Sequence, residues 1–339
     1  MMSRSVSSPY RLDFRLPRSV ARRLAVLALA VAGCGGSPTP AASPSKPELA
    51  EATSVLGRSG LPGSRVRMRL PDGFVRRTRH PTVFHDELKM AVTVAEITPP
   101  TEADAQEALS ALAQSAASFR SPERVAIAHG SSKGYMIRGT KEDDRMSILL
   151  GLANGRILLV MSIGYPREGA TVAEAIVDSV WIDANAKLDS PRLSALSFGD
   201  TQGFVVWDAI APPVGFKEPN AQPPIPVSSP TFSVVTVPAR NEDVAPVVAA
   251  MLEQKHVDRH SAKVTTTQVD GLEATEIVAD AVDDGVPVKF YALVMNDPAG
   301  LVFASGQFLP TQPNVLGRMQ KLARSIHRVD DLLGPVHLP

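Results

Sequence analysis

The chain has one cysteine, no excess of either charge, and an N-terminal apolar run too short to cross a membrane. A single thiol excludes a disulfide framework and a thiolate metal site within one chain. Basic and acidic residues both number 35, which argues against a strongly basic nucleic-acid groove. The apolar run, residues 24–32, would rise about 14 Å as a helix, whereas a hydrocarbon core is about 30 Å thick. The folded part must therefore be stabilised by core packing alone.

That apolar run has the length of the apolar region of a secretory signal and follows two arginines. It leads into Val31, Ala32, Gly33 and Cys34, which resemble a bacterial lipobox: an aliphatic residue, two small residues and a cysteine. The resemblance implies that residues 1–33 are a lipoprotein signal peptide and that acylated Cys34 binds membrane lipid. An ordinary signal peptide with a chance cysteine is the alternative.

Removal of residues 1–33, which hold six arginines and one aspartate, leaves 29 basic and 34 acidic residues, a net charge of about −5. Mild acidity favours neither nucleic acid nor an anionic membrane surface as a partner. The lipobox implies an extracytoplasmic, membrane-anchored protein. Gly35, where some Gram-negative bacteria use aspartate for inner-membrane retention, favours the periplasmic face of an outer membrane. In a cell without an outer membrane, the anchor would lie on the outer face of the cell membrane.

The rest of the chain divides by composition and by an internal repeat. Residues 34–62 are rich in Gly, Ser, Pro and Ala and predict a tether with a reach of roughly 30 Å. The order strand, strand, helix, three-strand meander, helix then occurs twice, in a first copy (residues 63–186) and a second copy (residues 193–330). Residues 187–192 join the copies, and residues 331–339 form a tail. We expect an α+β fold of two tandem domains, each a mainly antiparallel sheet sandwiched by helices.

Local signals support this order. Asn154-Gly155 and Asp284-Gly285 are hairpin turns, because glycine accepts the positive φ that such turns need. Thr101, with an acidic residue three positions later, is the expected N-cap of the first helix. Thr171 and Asn314 are the expected starts of the last helix in each copy.

Pro71 to Phe74, the second-copy turn that ends at Phe216, and this element order resemble the PsbP-like fold of DcrB- and LpqN-type bacterial lipoproteins. The resemblance implies a non-enzymatic binding, accessory or assembly factor without a cofactor. Its partner would be an envelope protein or a hydrophobic ligand. A sheet face, a domain cleft or the irregular stretches 74–88 and 216–230 would bind it.

Two histidine pairs support the alternative of a periplasmic hydrolase or metal-dependent enzyme. His80 and His85 lie in one polar stretch, and His256 and His260 have the spacing of zinc ligands on one helix face. A loop and a solvated helix end explain both pairs without function, because no further ligand is signalled nearby. We therefore expect no metal site and no catalysis. A purely structural spacer is a third possibility.

We predict that Cys34→Ser gives an exported, folded protein that is lipid-free or uncleaved. Each buried CH₂ of an acyl chain contributes about 0.8 kcal/mol to membrane binding, and the serine variant would lose all of that contribution. Metabolic labelling with a fatty-acid analogue measures the change. Label that persists in the serine variant would refute the lipobox interpretation.

Overall fold

The computed structural model describes residues 59–60, 64–99, 101–114, 119–141, 145–186, 195–206, 214–221, 225–237 and 244–335. Cys34, the lipobox and most of the predicted tether lie outside these residues, as does the predicted joint at 187–192. The end of the predicted tether, Ser59–Gly60, is already paired as a strand. Within the described part of the chain, no helix is both long and apolar enough to cross a membrane.

The first copy is built on an antiparallel sheet. Its strands are β1 (Ser59–Gly60), β2 (Val66–Met68), β3 (Val75–Arg76), β4 (Thr82–His85), β5 (Met90–Ile97), β6 (Arg120–His129), β7 (Ser132–Thr140), β8 (Met146–Asn154), β9 (Ile157–Tyr165) and β10 (Trp181–Ile182). Its α-helices are α1 (Glu102–Gln114) and α2 (Ala170–Ser179). β1, β2 and β10 form a separate small sheet.

The second copy has the same elements in the same order. Its strands are β11 (Leu196–Phe198), β12 (Val205–Val206), β13 (Val214–Lys217), β14 (Thr231–Val237), β15 (Lys263–Val269), β16 (Leu272–Asp283), β17 (Val286–Asp297), β18 (Gly300–Phe308) and β19 (Ile326–Arg328), followed by β20 (Gly334–Pro335). Its α-helices are α3 (Val244–Gln254) and α4 (Pro313–Arg324).

Strand order makes the repeat explicit. The first sheet runs β3-β4-β5-β9-β8-β7-β6 and the second runs β12-β13-β14-β18-β17-β16-β15, so each position has a counterpart. Each copy also pairs a short early strand with the strand after its last helix, β2 with β10 and β11 with β19. The predicted α+β class, with two mainly antiparallel sheets, is confirmed.

The meanders are longer than the sequence pattern predicts. A further edge strand, β6 in the first copy and β15 in the second, precedes the three predicted strands. These strands are mostly exposed, and the register of β6 shifts between Arg120 and Glu123, around Pro122. An edge strand buries little of either face, so it lacks the alternation that identifies inner strands.

The core of each copy lies in two layers, one on either side of the sheet. In the first copy α2 packs on one side through Val172 and Ile176, and α1 packs on the other through Leu109. The sheet approaches α1 closely at Gly151, where an added Cβ would lie 2.7 Å from Leu109. In the second copy α4 and α3 take the corresponding sides. Because helices cover both sheet faces, a sheet face is a poor candidate for the binding surface.

The observed helix starts agree only in part with those predicted from the sequence. Thr101 and Asp104 form a reciprocal cap: Asp104 N donates to Thr101 Oγ1 at 3.1 Å, and Thr101 N donates to Asp104 Oδ2 at 3.0 Å. The Thr171 cap was predicted wrongly, because a 3₁₀ turn at Arg167–Gly169 leads directly into α2. The Asn314 start is also wrong, since α4 begins at Pro313, where the missing N–H has no intrahelical role.

The chain returns to the first sheet at its C-terminal end. β20 pairs with β3, with Gly334 opposite Arg76 and Pro335 opposite Val75. The predicted tail, residues 331–339, thus contributes an eighth strand to the first sheet among the described residues. The predicted irregular stretch 74–88 likewise contains β3 and β4. Short strands of two to four residues are too brief for a periodic pattern to identify them.

We predict that Leu293→Ala, which truncates a fully buried side chain of β17, lowers the free energy of unfolding by about 2–5 kcal/mol. Val264→Ala is the control, because Val264 lies on β15 of the same sheet and is 61% exposed. Denaturant titration gives the energies, and hydrogen exchange locates the effect. We expect faster exchange in β14–β18 and little change in β5–β9. Equal acceleration in both sheets would show one cooperative unit and contradict two tandem domains.

Candidate functional site

The two copies meet at a buried arginine in the turn between β3 and β4. The Arg79 side chain is almost fully buried, and its Nε lies 3.1 Å from Asp297 Oδ2. Its Nη1 donates to Ala195 O at 3.0 Å and its Nη2 donates to Asp330 Oδ1 at 2.5 Å. Its main-chain N–H donates to Ala299 O at 2.9 Å. All these acceptors belong to the second copy, so we call Arg79 and its four partners the arginine clamp.

Asp297 is held from its own copy as well. Ala299 N donates to Asp297 Oδ1 at 2.6 Å, and Arg328 Nη1 lies 3.4 Å from Asp297 Oδ2. Arg328 Nε also donates to Asp270 Oδ2 at 2.8 Å. Burial raises the pKa of Asp270, but the hydrogen bonds from Arg328 outweigh burial and bring that pKa below its ordinary value. Arg328 thus links Asp270 to Asp297, the main carboxylate of the clamp.

Two further groups are buried behind the clamp. Arg76 Nη2 donates to Arg79 O at 2.9 Å, and burial followed by the Arg79 charge lowers the pKa of Arg76 to about 10. The His80 ring contacts Thr82 Oγ1 through Nδ1 at 2.7 Å. Burial, reinforced by the charge of Arg76, lowers the pKa of His80 to about 3. His80 is therefore neutral at physiological pH and shielded from solvent.

His85, which the sequence analysis paired with His80 as a candidate site residue, holds a turn together. Its Nε2 donates to Asp72 O at 2.8 Å, and its Nδ1 accepts from Leu88 N at 3.3 Å. Its ring packs edge-on against Phe74, with ring centroids 5.2 Å apart. Gly73 has φ +95°, and a Cβ there would lie 2.9 Å from the His85 ring. Both ring nitrogens of His85 are thus engaged in forming the turn, rather than placed for metal binding or proton transfer.

The second histidine pair is not arranged on a helix. α3 ends at Gln254, His256 has φ +50°, and both His256 and His260 are exposed. Val257, which lies between them, forms an isolated antiparallel β-bridge with Ala281 of β16, so the segment that carries both histidines is not helical. In the part of the chain that the structure describes, no group of three or more His, Cys, Asp or Glu residues is placed to hold a metal ion.

An open cleft of about 1040 Å³ lies at one end of the first copy. The β6–β7 turn, the end of β8, the C-terminal end of α2 and the segment 181–185 surround it. Trp181 lines it and is 37% exposed. His129 Nδ1 donates to Val180 O at 2.6 Å, which fixes the ring at the edge of the cleft. Such a concave surface, aromatic on one part and rich in hydrogen-bonding groups, suits recognition of a ligand or a partner.

The charge in this cleft is slightly negative. Asp178 and Asp183 contribute two carboxylates and Arg69 one guanidinium. Asp178 is exposed at the last turn of α2, and half-buried Asp183 accepts from Asn185 N at 3.2 Å. The cleft therefore favours a neutral or cationic occupant over an anionic one.

The same end of the second copy can be matched residue by residue. Ser179 Oγ donates to the carbonyl three residues earlier at 2.7 Å, and Ser325 Oγ does the same at 2.9 Å. Four residues after each serine, a main-chain N–H donates to a carbonyl oxygen in the earlier part of the same copy. Asp183 N donates to Arg65 O at 2.8 Å, and Val329 N donates to Ala195 O at 3.0 Å. Ser179 thus corresponds to Ser325, and each later residue to the one 146 positions on.

This match shows what occupies the corresponding end of the second copy. Asn154 closes the β8–β9 hairpin opposite Ile157, just as Asp297 closes the β17–β18 hairpin opposite Gly300. Ala184, which also lines the cleft, corresponds to Asp330 by the same count. Asp297 and Asp330 are the two carboxylates that bind Arg79. The end that is open in the first copy is therefore covered in the second copy by a loop of the first.

Neither Arg79 nor the residues of the cleft were named as site residues, although Arg79 lies in the stretch 74–88 that was predicted as a possible binding surface. A signal for the clamp exists in the basic run of Arg76, Arg77 and Arg79. Its partner Asp297 lies more than two hundred residues away, and no sequence periodicity links distant loops. Trp181 follows directly after α2, where the pattern predicts only a helix end.

No protein-family model and no curated protein matches the chain. It is similar to LpqN of Mycobacterium tuberculosis, involved in cell envelope biogenesis, at 10% identity over 39% of this chain and 82% of that chain, with a TM-score of 0.30. A chain of the Tle4–Tli4 complex is 13% identical over 80% of this chain and 98% of its own, with a TM-score of 0.31. PsbP from the cyanobacterium Synechocystis sp. PCC 6803 is 14% identical over 39% of this chain and 91% of its own, with a TM-score of 0.24. Similarity at this level does not assign a family or a function.

We predict that Arg79→Met lowers the free energy of unfolding by about 3–5 kcal/mol, because it leaves Asp297 buried without its main cation. Arg77→Met is the matched control: Arg77 lies in the same loop and pairs with Asp86 at the surface. An exposed pair of this kind contributes about 1 kcal/mol or less. Denaturant titration compares the two variants. Equal losses would contradict the assignment of Arg79 as the residue that joins the copies.

The second prediction from this site concerns pH. The folded state holds the pKa of His80 at about 3, below the ordinary 6.5, so the unfolded chain takes up a proton between these values. Stability should fall as the pH drops through this window, and this one group accounts for about 2 kcal/mol at pH 5. His80→Asn should reduce the loss between pH 7 and pH 5, and His260→Asn, at an exposed position, should not. The same pH slope in wild type and His80→Asn would contradict the prediction.

Proposed function

We propose that the chain is a lipid-anchored cell-envelope protein that acts without catalysis, as a binding or accessory factor for a protein partner. Acylated Cys34 would hold it at the membrane, and the cleft at the end of the first copy would receive the partner. Its assignment to the PsbP-like lipoproteins of DcrB and LpqN type is part of this proposal. The turn at Pro71 to Phe74, with Gly73 at positive φ, supports that assignment.

One observation carries the proposal. The first copy has an open cleft at the end that, in the second copy, is covered by a protein loop. The two ends have the same strand order and the same helix-end hydrogen bonds. The corresponding end of the second copy already binds a protein loop. The cleft of the first copy is therefore a better candidate for a protein-binding site than for the binding site of a small hydrophobic molecule. The polar and charged lining of the cleft agrees with this preference.

The placement of the histidines supports a binding protein over an enzyme. His80 is buried at the contact between the copies, and His85 uses both ring nitrogens within a turn. His256 and His260 lie on an exposed irregular segment. A hydrolase or metal enzyme needs such groups to converge on one accessible point.

Photo-crosslinking in the producing cell tests the proposal. A photoreactive residue replaces Ser131, which is exposed in the β6–β7 turn and lines the cleft. The control position is Glu168, which is exposed near the opposite end of α2. We expect a light-dependent adduct of discrete mass at position 131 and none at position 168, with the partner identified by mass spectrometry.

The identified partner, once purified, should bind the wild-type protein directly. Trp181→Ala should weaken binding about 30-fold, because exposed aromatic residues commonly dominate interface energies. Glu168→Gln should leave the affinity unchanged. Equal adducts at both positions, or a partner that binds Trp181→Ala as well as wild type, would refute the cleft as the binding site.

A further inference from the structure

We propose that the cleft of the first copy binds a loop of a partner protein through an arginine or lysine side chain, as the second copy binds Arg79. The inference rests on the proposed function, in which this cleft is the partner site, and it adds the chemistry of the partner.

The duplication supplies a bound example. At the second copy, one loop delivers a guanidinium to Asp297 and Asp330, while Ala195 O accepts from the same side chain. The loop also donates its own main-chain N–H, from Arg79 to Ala299 O. Recognition there combines a cation with one main-chain hydrogen bond of the same turn. The first copy has the same carbonyl in the corresponding place, Arg65 O, which accepts from Asp183 N as Ala195 O accepts from Val329 N.

The first copy also has acidic groups at this end, but at positions that differ from those of Asp297 and Asp330 in the second copy. Asn154 replaces Asp297 and Ala184 replaces Asp330, but Asp183 lies one residue before Ala184 and Asp178 lies in the last turn of α2. Two carboxylates thus remain at this end of the copy. The one cation lining the cleft, Arg69, does not balance both carboxylates. An incoming basic side chain would restore neutrality.

Trp181 supports the same occupant. It corresponds to His327 of the second copy, and 37% of its surface is exposed in a cleft that also holds carboxylates. An indole face attracts guanidinium and ammonium groups, and guanidinium more often. Trp181 and the two aspartates line the same cleft, so a basic side chain that enters it meets an aromatic residue as well as carboxylates.

The replacement of Asp297 by Asn154 also predicts how tightly the segment is held. A buried carboxylate binds Arg79 as a permanent part of the fold. The amide of Asn154 is neutral and the cleft is open, so no buried charge is left unpaired when the partner dissociates. The first-copy site should consequently bind and release its partner, with an affinity that falls as ionic strength rises.

A synthetic peptide of residues 74–85 of this chain, the segment that carries Arg79, is the probe. The protein is the full chain with Trp207→Phe, which leaves Trp181 as its one tryptophan. We expect a saturable change in Trp181 fluorescence. Affinity should fall about tenfold or more when the peptide carries Arg79→Ala. The protein variant Asp178→Asn plus Asp183→Asn should weaken the wild-type peptide to a similar degree.

The matched protein control is Glu168→Gln, which removes one exposed acid near the other end of α2 and should leave the affinity within about twofold. Asn at position 183 can still accept from Asn185 N, so that local turn is kept. Binding that is indifferent to the peptide arginine or to the two aspartates, or no saturable signal, would overturn the inference. A crosslinked partner at position 131 that the peptide does not displace would leave the proposed function standing and refute only the basic-segment chemistry.

Discussion

The relative position of the two copies depends on the contact between Arg79 and Asp297. A guanidinium taken out of water costs several kcal/mol unless charges and hydrogen bonds replace its hydration. Arg79 meets that condition only with partners from three separate parts of the second copy: hydrogen bonds to Ala195 and Asp330, and an ion pair with Asp297. Shifting either copy by a few ångströms would leave the charge without its partners. β20 reinforces this geometry, because it joins β3 just before the turn that carries Arg79. The clamp and β20 thus link the two sheets, while each sheet keeps its own core.

The two copies differ at the same place. Their strand order and the hydrogen bonds of Ser179 and Ser325 at their helix ends correspond, yet one end is covered and the other is open. The difference comes from a few side chains at hairpin turns and helix ends, such as Asp297 against Asn154. Asp297 and Asn154 are the last residues of β17 and β8, where each strand enters its hairpin turn. Loops of this kind commonly carry function on a conserved scaffold.

The sequence pattern correctly predicted the strands, turns and helix cap whose positions are determined by hydrophobic periodicity or by turn-forming residues. Inner strands such as β9 and β18, the Asn-Gly and Asp-Gly turns, and the Thr101 cap all follow from local preferences. The edge strands β6 and β15 were missed because exposed edges lack alternation, and β3 and β20 were missed because two residues carry no period. The site was missed for another reason. Arg79 and Asp297 gain their meaning from a contact across 218 positions of sequence, and loop conformation determines that contact.

The architecture also explains why recognition belongs at the ends of the copies. Helices cover both faces of each large sheet, which leaves edges, turns and helix ends accessible. The open end of the first copy lies beside the place where the predicted tether enters the fold, since β1 pairs with β2 and Arg67 of β2 lies opposite Trp181. If Cys34 is the anchor, about 25 residues separate it from β1, a reach of roughly 30 Å for a flexible chain. The cleft then lies close to the point at which the tether joins the folded protein. A partner bound there would lie within tether range of the membrane, as an accessory factor for an envelope protein requires.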